Sequence, residues 1–211
     1  SRGLGDVYKR QCIIRAPFHN PSKKEYDIII KPEMSFGTGH HETTRLMIKA
    51  MFLLDLKPSY VLDFGCGSGE FIDLMQDSGA LASGFEPGKL YSNYAKDQKG
   101  LDVQNCGWEN YECKEKFDFV TAFHVFEHLT DPLKAFKKAI SWLNQDGMIY
   151  IEVPNMANAL KLKGFVSLHM APSIGFGRYS LELLGAFNGM VPLEVFDEYD
   201  IGIIFKKGQP R

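Results

Sequence analysis

An apolar run, Val61-Leu62-Asp63-Phe64, passes without a break into Gly65-Cys66-Gly67-Ser68-Gly69, and few folds accommodate that join. Glycines at alternate positions let the backbone adopt conformations and approaches that a Cβ blocks. Set between a buried strand and a helix, they form the turn on which open α/β sheets receive nucleotide-like ligands. The spacing is GxGxG rather than the GxGxxG of dinucleotide-binding folds. A second apolar run closes with Gly84-Phe85-Glu86-Pro87, so Glu86 falls 21 residues (86 − 65) after Gly65, where a strand-end carboxylate can accept both hydroxyls of a ribose. A glycine cluster behind a strand is by itself an ordinary tight turn. Strand, turn, helix and spaced acid together point to an adenosyl ligand.

The rest of the chain alternates β-branched apolar runs with segments of helical period. Strands are predicted at 26–30, 61–64, 82–86, 103–106, 117–123 and 148–153, and helices at 42–54, 71–75, 90–97 and 181–187. A further helix is predicted where Leu133, Phe136, Ile140 and Leu143 recur at helical spacing while Lys134, Lys137 and Lys138 face outward. Residues 193–199 and 201–205 read as two strands with no helix between them, and should pair antiparallel. The fold class is therefore α/β, a Rossmann-like doubly wound sheet, mostly parallel, with one antiparallel strand near the C-terminus. Hydrophobic residues at 45% and charged residues at 24% fit a globular chain, and the apolar runs are far too short to cross a membrane. A net charge of −2 and a pI near 6.3 give no global footprint for a nucleic-acid backbone. Four cysteines without a CxxC pair, and no signal peptide ahead of them, read as reduced thiols in the cytoplasm. Residues 1–11 have no hydrophobic periodicity and resemble an adapter-derived, non-native segment. Cys12-Ile13-Ile14-Arg15 then enters with strand-like composition, which suggests that the natural chain continues upstream. Residues 12–42 read as an N-terminal strand and extension, and 43–211 as the main domain.

From about residue 60 to 207, the GxGxG turn, the strand-end acid and the segment Phe-Asp-Phe-Val-Thr-Ala-Phe-His-Val-Phe-Glu-His-Leu at 117–129 resemble the class I S-adenosylmethionine-dependent methyltransferases. The resemblance implies S-adenosyl-L-methionine as cofactor. Gly65, Gly67 and Gly69 would pass its amino acid part, Glu86 its ribose, and Gly107-Trp108 its adenine, although Trp108 reads equally well as a core aromatic. Upstream, Met34-Ser35-Phe36-Gly37-Thr38-Gly39-His40-His41-Glu42-Thr43-Thr44 looks like bacterial methyltransferases that modify lysines and the amino terminus of a large-subunit ribosomal protein. That likeness implies that this segment caps the cofactor and that Thr44 contacts it. Alternatively, Thr43 or Thr44 caps a helix.

Downstream, the ribosomal-protein group would carry an asparagine motif where this chain has Ala122-Phe123-His124. Residues 117–132, with Gly147-Met148-Ile149-Tyr150-Ile151-Glu152-Val153-Pro154-Asn155, are instead similar to small-molecule methyltransferases, including the ubiquinone-pathway O-methyltransferases. There the position of Phe123 touches the cofactor. The two likenesses change over near residues 65–70, by natural recombination or by an artificial join. The acceptor is accordingly a small molecule or a ribosomal protein, methylated on oxygen, nitrogen or carbon, and oligomeric state is not indicated.

His124, Glu127 and His128 share one face if 125–129 is helical, at the strand end where open α/β sheets bind ligands. His124 is the candidate general base. The same trio could hold a divalent metal, or Glu127 and His128 could simply brace the loop before Asp131-Pro132; the favoured site set contains no metal. His124-Val125-Phe126-Glu127-His128 also matches HxxEH, the inverted zinc-peptidase signature, which should lie inside a helix. A zinc hydrolase and a non-catalytic cofactor-binding module are the alternatives from other classes. His169, Arg178 and Tyr179 fall where related enzymes form an acceptor lid, while His40 and His41 read as ordinary helix N-terminal polarity.

Overall fold

The computed structural model describes residues 12–15, 26–29, 60–113, 115–156, 174–197 and 200–208. The chain divides into two compact units, Ser1–Ile48 and Lys49–Arg211. In the first, strands β1 (Cys12–Arg15) and β2 (Tyr26–Ile29) pair in parallel. Thr44 and the predicted 42–54 helix lie outside the described residues, as do residues 1–11, His40, His41 and His169.

The second unit is built on a seven-stranded sheet. In chain order its elements are β3 (Tyr60–Phe64), α1 (Glu70–Asp77), β4 (Leu81–Phe85), α2 (Lys89–Asp97), β5 (Val103–Gln104), β6 (Phe117–Phe123), α3 (Pro132–Ser141), β7 (Leu143–Pro154), α4 (Arg178–Phe187), β8 (Met190–Asp197) and β9 (Asp200–Lys207). The sheet order is β5-β4-β3-β6-β7-β9-β8. Parallel neighbours need crossover connections, and α1, α2 and α3 supply them. Strand β9 runs antiparallel to both β7 and β8, so it is the single reversed strand that the sequence predicts.

Central strands buried on both faces are apolar almost throughout: Val61, Leu62 and Phe64 on β3, Phe119, Val120 and Ala122 on β6, and Ile149, Ile151 and Val153 on β7 are all buried. Helix α1 follows from its stripe of Phe71, Ile72 and Met75, which is buried. Asp131 caps α3, accepting from the Lys134 backbone N–H at 3.0 Å with Pro132 in the first turn. The phase of α3 differs from the expected one. It buries Ala135, Phe136 and Ala139, Leu133 is exposed, and Leu143 opens β7. Strand β7 starts five residues before the predicted Met148 because Leu143 already pairs with Phe117, across a register irregularity. One consequence matters for the site. The carboxyl ends of β3, β4, β6 and β7 meet along one edge of the sheet, where ligands bind in open α/β folds.

Candidate functional site

At the end of β3 the turn is held open by its glycines, with φ of 72° at Gly65, 53° at Gly67 and 80° at Gly69. The backbone N–H groups of Gly65 and Cys66 both donate to the Phe85 carbonyl, at 3.0 and 3.1 Å, joining the turn to β4. A Cβ on Gly65 would stand 2.6 Å from Cγ2 of Val125, and one on Gly69 2.5 Å from Cδ1 of Leu101, whereas one on Gly67 would meet nothing within 4 Å. Packing therefore requires the outer two glycines. The middle one borders open space, so backbone there is accessible to a ligand.

Glu86 closes the other side of this space. Its Oε2 accepts from the Gly67 N–H at 3.0 Å and its Oε1 from the Gly88 N–H at 2.7 Å. Each carboxylate oxygen keeps further lone-pair capacity, so both remain able to accept from a sugar hydroxyl. Beneath the turn, Asp63 is buried and accepts from Thr121 Oγ1 at 2.9 Å. Burial raises its pKa to about 7, against the opposing Thr121 hydrogen bond and with the charges of Glu70 and Glu86 adding to the rise. Burial also pushes the Cys66 thiol well above its ordinary range, so it is inert. The ring of Phe123, at the end of β6, lies between Phe71 at 4.9 Å and Tyr150 at 5.3 Å. Trp108 is partly buried against the main core cluster.

A second set of groups gathers on the same edge around His124, which immediately follows β6. Its φ of 52° makes it the one non-glycine residue with a left-handed backbone among the described residues, a conformation that costs about 1–2 kcal/mol and tends to mark functional sites. The imidazole Nδ1 faces Glu127 Oε1 at 3.5 Å; Nε2 faces Glu152 Oε1 at 3.2 Å and Asp200 Oδ2 at 3.7 Å. Glu152 on β7 pairs with Gly202 on β9, which places Asp200 diagonally across from it on one face of the sheet. The Tyr150 hydroxyl donates to Glu152 Oε2 at 2.8 Å, over a glycine: a Cβ at Gly202 would collide with that hydroxyl.

Burial lowers the basicity of His124, but hydrogen bonding to Glu127 and Glu152, with the charges of Glu152 and Asp200, overrides it and raises its pKa to about 10. In this geometry the imidazole is charged, and both ring nitrogens face carboxylates. In that charged form it lacks the lone pair that a general base needs.

The side chains of His124 and His128 both approach Glu127 Oε1, at 3.5 and 3.7 Å, but not through the helix that the sequence suggests. Residues Phe126–His128 form a single 3-10 turn, and His128 is 63% exposed, with its Nε2 3.7 Å from Glu127 Oε1. The HxxEH string thus lacks the helical form that a zinc-peptidase site requires. The Glu127 side chain is buried, and its backbone carbonyl accepts from the Ile174 N–H at 3.0 Å. The partners that sequence reasoning missed are Glu152 and Asp200. The signals available were a carboxylate inside the apolar run Met148 to Val153 and an acid at the break between the last two strands.

Comparison with known proteins gives a consistent picture. A family model described as a methyltransferase domain matches residues 39–172, more than half of the chain. A ribosomal protein L11 methyltransferase from Porphyromonas gingivalis is 47% identical over 72 residues, 33% of this chain and 24% of its own length. One from Thermus thermophilus is 43% identical over 86 residues, 40% of this chain and 34% of its own length. The matches thus span about a quarter to a third of these relatives. Among solved structures, magnesium protoporphyrin IX methyltransferase from Synechocystis PCC 6803 with bound SAH superposes with a TM-score of 0.68 at 14% identity, covering 85% of this chain and 90% of that one. The ribosomal protein L11 methylase from Lactobacillus delbrueckii gives 0.67 at 19% identity, covering 95% and 96%. At these identities the structural likeness speaks for the fold.

Proposed function

The chain belongs to the methyltransferase-domain family, and from that membership we propose that it transfers the methyl group of S-adenosyl-L-methionine to an oxygen, nitrogen or carbon nucleophile. The observation that carries the reading is the cradle between Gly67, whose missing Cβ leaves open space, and the Glu86 carboxylate that accepts from its N–H at 3.0 Å. Glycine backbone passes the amino acid part of the cofactor there, and Glu86 accepts from the ribose hydroxyls. Phe123, wedged between Phe71 and Tyr150, supplies an apolar wall that keeps water from the reacting centre.

When bound, the sulfonium provides a methyl group already activated for transfer. The protein's contribution is then mainly placement of the nucleophile, worth more than acid-base chemistry at this centre. The acceptor binds on the side of the His124 cluster, at the carboxyl edge of β6 and β7. A ribosomal-protein amino group is the reading favoured by the names of the curated relatives; a small molecule is the reading favoured by Phe123-His124 in place of an asparagine motif. Free Cys66, Cys106 and Cys113 support a reducing compartment such as the cytoplasm. Among the described residues no helix is long and apolar enough to cross a membrane.

The test is calorimetric titration with S-adenosylhomocysteine, with NAD as the control ligand, on the native chain and on Glu86→Ala. Loss of charge-assisted hydrogen bonds worth roughly 1.5–3 kcal/mol corresponds to about 10- to 150-fold weaker binding in the variant. A folded protein that ignores S-adenosylhomocysteine refutes the cofactor reading, and equal affinities refute the ribose assignment.

A further inference from the structure

We infer that His124, Glu152 and Asp200 form a divalent-cation site at the carboxyl edge of β6 and β7, suited to a transition ion such as Zn²⁺ or Mn²⁺. One ligand atom from each residue lies within 4.8 Å of the others, drawn from the end of β6, from β7 and from the start of β9. Two atoms bound to one ion at about 2.0–2.2 Å, at angles between square and tetrahedral, stand roughly 2.8–3.6 Å apart. His124 Nε2 is 3.2 Å from Glu152 Oε1 and 3.7 Å from Asp200 Oδ2. Both His124 distances are thus within or just outside that range, and the Glu152 and Asp200 oxygens lie no more than 4.8 Å apart before an ion draws them together.

Charge favours the same conclusion. Glu127, Glu152 and Asp200 are all buried around one imidazole. Buried carboxylates pair with cations or coordinate metals, and three of them converge here on one imidazole. A separate observation points to a ligand. Glu152 is wholly buried; its Oε2 is anchored by Tyr150, while its Oε1 is turned toward Nε2 at 3.2 Å and has no other hydrogen-bond partner among the described residues. Glu127 Oε1 faces Nδ1, the place where a metal-ligating histidine donates its other N–H to a carboxylate. On binding, the ion takes the place of the Nε2 proton, which passes to solvent.

One nitrogen and two oxygens suit borderline divalent ions better than Mg²⁺ or Ca²⁺, which prefer all-oxygen cages. Three protein ligands leave a coordination position, as in sites that present a water or substrate oxygen. His124 is 22% exposed and opens that position to the acceptor side. The site does not depend on the methyl-transfer reading, because none of its ligands belongs to the cofactor cradle.

The experiment uses the full chain after chelator treatment. Calorimetry with Zn²⁺ or Mn²⁺ should give one ion per chain, and Co²⁺ should give visible ligand-field absorption. Glu152→Gln and Asp200→Asn, checked for native circular dichroism, should each weaken binding at least tenfold. His128→Asn, which changes an imidazole facing solvent, should leave it unchanged. Absence of stoichiometric binding to the native chain, or binding that both carboxylate variants leave intact, overturns the assignment. The Co²⁺ spectrum of the native chain decides the matter even if a variant does not fold. S-adenosylhomocysteine titrated into the same samples shows whether the cofactor reading stands or falls separately.

Discussion

Replacing glycines of the turn one at a time should separate fold from function, because their surroundings differ. At Gly69 an alanine must adopt φ near +80° and place its Cβ 2.5 Å from Leu101 Cδ1 and 3.3 Å from Ala95 Cβ. The left-handed backbone costs about 1–2 kcal/mol, and overpacking the Leu101 contact about 1–3 kcal/mol. Reduced freedom of the unfolded chain returns roughly 0.4–1 kcal/mol, leaving a net loss of about 2–4 kcal/mol. In a domain of this size each kcal/mol lowers Tm by about 2–4 °C, so Gly69→Ala should melt roughly 5–15 °C lower. At Gly67, φ is +53° and nothing lies within 4 Å. The backbone cost there is only partly offset by the unfolded-state gain, so Gly67→Ala should lose at most about 1.5 kcal/mol. Its methyl group nevertheless projects into the space assigned to the cofactor, and S-adenosylhomocysteine affinity should fall at least tenfold. Thermal melting and calorimetric titration of the two variants read the two effects independently. A Gly67→Ala protein that binds as tightly as the native chain would refute the claim that this glycine borders the ligand. An unshifted Tm in Gly69→Ala would refute the packing account.

Other consequences are local. Asp63, with its folded pKa raised to about 7, binds a proton more tightly folded than unfolded. Stability should therefore fall as pH rises from about 4 to about 7, with the penalty complete above that range; denaturant melts of Asp63→Asn should lose this slope. Tyr150→Phe removes the 2.8 Å donor to buried Glu152 and should cost about 1.5–3 kcal/mol in chemical denaturation; a neutral result would show that the pair does not form. Asp131→Ala removes the cap of α3, worth about 1 kcal/mol, and should lower Tm by about 2–4 °C without changing cofactor binding.

How much of this was legible depended on how far apart in the chain the relevant partners lie. The cofactor cradle is short-range: Val61 to Gly69 encode strand and turn in nine consecutive residues, and Glu86 follows at the end of the very next strand, hydrogen-bonded to Gly67. Reversal of the last strand was equally readable, because no helix separates its two halves. The phase of α3 was not. Leu133 and Leu143 complete an apolar period on paper, yet Ala135 and Ala139 take the buried side, small enough for the helix to lie close to the sheet. The His124 cluster was read around the wrong partners for a related reason. A helical reading of 124–128 keeps every contact within five residues, whereas the left-handed backbone at His124 turns the imidazole toward the sheet edge. Glu152 and Asp200 are 48 residues apart (200 − 152) and become neighbours only because β9 inserts beside β7 in a register that sets Pro154 opposite Asp200 and Glu152 opposite Gly202. No periodicity carries that register. What the sequence does display is its cost: a carboxylate in the middle of Met148 to Val153, where an apolar residue would pack without penalty. A buried charge of that kind has to be balanced by something, and His124, with the cation its neighbours are arranged to receive, is the balance this fold provides.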